Sequence, residues 1–83
     1  MNSVYVVGKI IKILDMDKPS DNFIVILEVK EQLSKEYITS IIDYNSALKV
    51  LNCNDPPLVR IIGGLVYRDK YKTCVKGKTV TFL

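Results

Sequence analysis

Residues 58–72 read LVRIIGGLVYRDKYK. The first half has the composition of a buried β-strand, two adjacent glycines (Gly63 and Gly64) interrupt it, and a basic tip carrying two tyrosines follows. A strand in a flat sheet gains nothing from glycine at its centre, which costs conformational entropy and leaves no side chain to pack. A strand that must coil tightly enough to serve both halves of a small closed sheet does gain from it. The stretch therefore predicts a strongly curved strand over 57–68, a tight polar turn near Asp69, and a return strand over 71–75.

Working outward, SVYVVGKIIKIL (3–14) is too rich in Val and Ile for a comfortable helix and predicts a long first strand. Gly8 in its middle permits a bulge or a close crossing by another strand. DMDKPSDN (15–22) is a turn, FIVILEVKE (23–31) a second strand, EQLSKE a short polar link, and YITSIID (37–43) a third strand. In YNSALKVLNCNDPP (44–57), Asn45 or Ser46 is placed to cap a short helix. Ala47, Leu48, Val50 and Leu51 supply its apolar face, and Pro56 and Pro57 stop it. KTVTFL (78–83), after Gly77, predicts a final short strand. The order is three strands, a helix, then two strands, which is that of a mainly β, five-stranded OB-fold Greek-key barrel with one short helix between strands three and four. The similarity of VVGKII to IIGGLV is read as one geometric demand made twice, not as a duplication.

The 83 residues, 48% hydrophobic and 25% charged, suit a single domain over 1–83 with one modest core. At this size only roughly 60% of the unfolded surface is buried on folding, so barrel closure and self-association both help. Apolar residues at both parities of the first strand point the same way. No run approaches the roughly 18–20 apolar residues of a membrane span, and the N-terminus lacks the order of a signal peptide, so a cytoplasmic protein with no membrane partner is expected. Cys53 and Cys74 form no CxxC pair and are expected as free thiols. Up to Asp43 the chain carries five lysines against seven carboxylates; from Tyr44 onward it carries seven Lys and Arg against two Asp. A basic second half points to a polyanion partner.

Catalytic chemistry finds little support. There is no histidine, the commonest general base and metal ligand, and no carboxylates that pair across a cleft. KGKT (76–79) has Lys72 where a phosphate-binding loop needs its first glycine, and VTFL where it needs a helix. The expectation is a binding protein, not an enzyme, with no cofactor, no metal and no small-molecule substrate.

The sequence resembles the bacterial single-stranded DNA-binding protein family. Asn2, Val4, Val7, Gly8 and Ile10 look like that family's opening, and Tyr37 stands where it usually has a DNA-stacking tryptophan. Ile41 and Ile42 in the third strand, Ala47 in the helix, the IGG at 62–64 and the GKTVTFL ending are also similar. The chain departs from the pattern in having no tryptophan and in placing Asp43 beside Tyr44 where an aromatic is usual. It ends at Leu83 without the linker and acidic tip by which family members usually recruit replication partners, as in a short form. The resemblance implies non-specific single-stranded DNA binding in replication, recombination or repair, and a homodimer or homotetramer paired through the first strand.

Such binding needs a positive groove for phosphates and flat rings for bases, each stacked base contributing roughly 1–3 kcal/mol irrespective of sequence. Tyr67, Arg68, Lys70, Tyr71 and Lys72 offer rings and cations in one finger. Tyr37 is a further ring, the planar guanidinium of Arg60 suits a phosphate or a base, and Lys9 lies near Arg60 if strands one and four pair. Taken singly, each tyrosine is as well suited to packing and each hairpin lysine to solvation; their combination in one hairpin carries the reading. Tyr5 and Phe82 are assigned to core or subunit contact and Phe23 to core. Two other readings fit the same chain: an OB-fold protein-interaction or accessory, primosomal-type replication subunit, and an RNA-binding OB protein.

Overall fold

In a computed structural model, which describes residues 3–83, five strands and one helix follow in the order β1 (Val4–Asp17), β2 (Asn22–Glu31), β3 (Ser34–Ile42), α1 (Tyr44–Leu51), β4 (Leu58–Arg68) and β5 (Lys72–Phe82). Asn2 lies outside the described residues. The strands close into a barrel in the order β1-β2-β3-β5-β4, antiparallel throughout except where β3 meets β5 at Ser40 and Ile41. This is the OB architecture.

Strand β1 reaches round the barrel because it changes partners: Val4 to Lys9 pair with β4, and Lys9 to Asp17 pair with β2. Register shifts between Ile10 and Lys12 and between Ile13 and Asp15 supply the bend, as bulges do in small barrels. Alternation along the strands sends Ile10, Val25, Leu27, Ile42, Val59, Ile61 and Val75 to the interior, and Ala47 of α1 packs with them. Phe23 and Phe82 pack against this core, whereas Tyr5 is exposed.

No glycine has positive φ, and Gly8, Gly63 and Gly77 act through space, since a Cβ at each would meet neighbouring atoms. A Cβ on Gly8 would lie 2.8 Å from the Glu28 carbonyl oxygen, and one on Gly63 would lie 1.9 Å from that of Lys76. Gly8 therefore marks the close crossing, not the bulge. Gly77 does not end the sheet: it faces Ile61, Val80 and the Ile41 carbonyl, and the expected fifth strand and final short strand are one continuous β5.

Other boundaries differ from expectation as well: β1 runs on through Asp15, Met16 and Asp17, which pair with β2, so the turn shrinks to residues 18–21. The link before β3 shrinks to a turn at Gln32 and Leu33, because β2 and β3 continue as a hairpin to Glu31↔Ser34. Helix α1 is capped by Asp43, not by Asn45 or Ser46, through a hydrogen bond from the Ser46 backbone N–H to the Asp43 carboxylate. Burial pushes the Asp43 carboxyl up, but the hydrogen bonds from Ser46 outweigh it and hold the group below its ordinary range. Cys53 is exposed and Cys74 buried, both as free thiols. Among the described residues no helix is long and apolar enough to cross a membrane.

Candidate nucleic-acid interface

The outer faces of β2 and β3 form one continuous wall. Register places Lys30 opposite Lys35, Glu28 opposite Tyr37, Ile26 opposite Thr39 and Ile24 opposite Ile41. Lys9 of β1 joins the second row, facing Glu28. At the other end of the wall, Ile24, Ile41 and Cys74 are buried although they face outward, because Leu14, Val66 and Tyr71 cover them. Burial also pushes the Cys74 thiol up. Tyr37 and Ile41 are four strand residues apart, about 13 Å.

That cover is the base of the β4–β5 finger. Val66 pairs with Cys74 and turns with it toward the wall, so Tyr67, the next residue, points the other way and is 60% exposed. Tyr71 is half-buried against the wall, with the Lys70 ammonium 5.4 Å from its ring centre. Lys72 closes the loop with φ of 64°, a left-handed conformation that glycine adopts more readily. A lysine held there puts charge at the fingertip at some conformational cost.

Arg68 fixes the finger in place. Its Nε donates to Asp17 Oδ1 at 2.7 Å and its Nη2 to Oδ2 at 2.9 Å, while Nη1 donates to the Tyr67 carbonyl at 3.1 Å. Asp17, 2% exposed, also accepts from the Ser20 hydroxyl. The hydrogen bond from Arg68 holds the Asp17 carboxyl below its ordinary range despite burial, with Ser20 and the charges of Arg68 and Lys76 assisting. A carboxyl depressed by folding stabilises the native state above its unfolded pKa, and that contribution disappears as pH falls through the folded value. Thermal denaturation of the native chain is therefore expected to show stability lost in acid, below about pH 4. An Asp17→Asn chain should start less stable at neutral pH and lose less on acidification, with Asp43 contributing to the slope that remains.

Of the eight residues singled out in the sequence, Tyr67, Arg68, Lys70, Tyr71 and Lys72 share the finger, and Tyr37, 58% exposed, shares the far end of the wall with Lys9. Arg60 is turned elsewhere. It sits on the outer face of β1-β4-β5, between Val7 and Thr81, half-buried, with its Nε buried and without a protein partner. Lys9 is one row away, opposite Leu58, so the expected proximity of Lys9 and Arg60 is diagonal, roughly 7–8 Å between backbones. Sequence reasoning passed over Lys30 and Lys35. Their signal was their equal distance from the turn at Gln32 and Leu33, which makes them direct cross-strand neighbours once the hairpin is recognised.

A closed five-stranded barrel with its helix between β3 and β4 defines an OB-fold protein, and solved structures share that fold. The chain is similar to the N-terminal domain of PriB from Thermoanaerobacter tencongensis, solved as a dimer (TM-score 0.67, 25% identity, 99% of this chain and 96% of that one). It is also similar in fold to the SSB domain of a Synechococcus sp. protein (TM-score 0.58, 12% identity, 98% and 94%). No protein-family model and no curated protein matches the sequence. The chain is an OB-fold protein whose barrel is similar to those of the PriB and SSB domains.

Proposed function

We propose that the chain binds single-stranded DNA without regard to sequence, in replication, recombination or repair in the cytoplasm. The observation that carries this is a pair of exposed rings set beside lysines, Tyr37 at the far end of the wall and Tyr67 on the outer side of the finger that covers its other end. The rings stack bases while Lys9, Lys70 and Lys72 meet phosphates. Arg68, already engaged by Asp17, holds the finger in place; Tyr71 anchors the finger and carries Lys70. Arg60 and the exposed Tyr5 and Ile62 lie on the β1-β4-β5 face, which supports a homodimer or homotetramer assembled around β1.

Quenching of tyrosine fluorescence by oligo-dT tests the reading. Tyr67→Ala should weaken binding roughly 5- to 150-fold, the loss of one stacked base, with Tm unchanged because the ring is exposed. Undiminished affinity, or equal affinity of the native chain for duplex, would overturn it. The likeness to the PriB domain favours one second reading, an accessory replication subunit whose barrel mainly binds protein. In that case the native chain binds oligo-dT only feebly.

A further inference from the structure

The end of the wall away from the finger has features that general strand binding does not require. Lys30 and Lys35 stand directly opposite one another across the β2–β3 ladder, an arrangement of like charges that opposes folding. Lys9 lies one row below. With Glu28, Gly8 and Leu58 these lysines line a cleft of ≈ 340 Å³. Glu28 is half-buried, and among the described residues it makes no ion pair with any of the three lysines. The same carboxylate is the direct cross-strand neighbour of Tyr37, and side chains so placed start about 5 Å apart.

A carboxylate in a polyanion-binding wall repels phosphate, so it weakens binding unless it is used for something else. Its position beside a stacking ring suits contact with the edge of the base on that ring. A carboxylate only accepts hydrogen bonds. Cytosine presents an amino group at N4, whereas thymine presents a carbonyl oxygen in the same place.

Resting on the strand-binding reading, we infer that Tyr37, Glu28, Lys30 and Lys35 form a nucleotide subsite that prefers a base with an exocyclic amino group. The base stacks on Tyr37, its amino group donates to Glu28, and the two phosphates flanking that nucleotide meet Lys30 and Lys35, one each. The subsite makes the protein tolerant of sequence along most of the strand and selective at one position.

Titration of the full chain with dC and dT oligomers of equal length at pH 8, where oligo-dC is unpaired, tests this. The native chain should bind oligo-dC about fivefold more tightly, a single charge-assisted hydrogen bond at a partly solvated site. Glu28→Gln should bring the ratio to one, chiefly by strengthening oligo-dT. Glu36→Gln makes the same charge change on the opposite face of the hairpin and should leave the ratio at about five. Lys30→Gln with Lys35→Gln should weaken both oligomers equally and lower the salt slope by about 1.4, two single-strand phosphate contacts. Tight binding with no preference, or equal responses to Glu28→Gln and Glu36→Gln, overturns the subsite and leaves the strand-binding reading standing. Binding of neither oligomer by the native chain overturns both.

Discussion

A Gly63→Ala chain is expected to lose about 3 kcal/mol of stability, the upper end of the usual cost of overpacking. The added methyl carbon would lie 1.9 Å from the Lys76 carbonyl oxygen, and a backbone oxygen held in a closed barrel has nowhere to go. A domain of this size has about 4–12 kcal/mol in all, so the loss should lower Tm by about 12–24 °C. Urea denaturation checks it, with the midpoint falling and the slope unchanged. The experiment also separates two accounts of the IGG motif. If Gly63 served as a flexible hinge, alanine at its ordinary φ would change stability by at most about 1 kcal/mol, and in the stabilising direction. Gly8→Ala meets a lesser obstacle, the Glu28 carbonyl at 2.8 Å, and should cost about half as much.

The affinity for oligo-dT is expected to fall about 100-fold between 50 and 200 mM salt. Five lysines, Lys9, Lys30, Lys35, Lys70 and Lys72, are exposed at the two ends of the wall, and each phosphate contact on a single strand contributes about 0.7 to the slope of log affinity against log salt. The predicted slope is therefore about −3.5. Arg68 is left out of that number because Asp17 already neutralises it. A slope near −4.2 would mean that the ion pair opens to admit a phosphate. Salt-insensitive binding would remove phosphate neutralisation from the mechanism altogether.

The residues legible in the sequence were those whose meaning is local. Val and Ile runs bounded by DMDKPSDN and by Pro56 and Pro57 marked strands and helix. The order of these elements gave the barrel, because few closed sheets take three strands, a helix and two strands. The tyrosines and lysines of the finger were legible for the same reason: a tight turn keeps residues 67–72 together whatever the rest of the chain does. The cap of α1 was misplaced by two or three residues because Asp43 also completes the polar end of a strand pattern, and only the backbone at Asp43, with its extended conformation, separates the two roles. The break expected at Gly77 arose from reading glycine as punctuation when the residue is small in order to face Ile61 and Val80.

What composition and pattern determined was the barrel, its basic second half and the presence of rings on a charged finger, since alternation, turn chemistry and residue type act over a few residues at a time. Tertiary structure alone decided that Gly63 is needed for a close approach to β5, that Arg68 is tied to an aspartate 51 positions earlier, and that Tyr37 has Glu28 and two opposed lysines as neighbours. These are matters of register and of contacts between distant segments. A shift of one residue in strand pairing would replace every such neighbour while leaving the sequence signals unchanged.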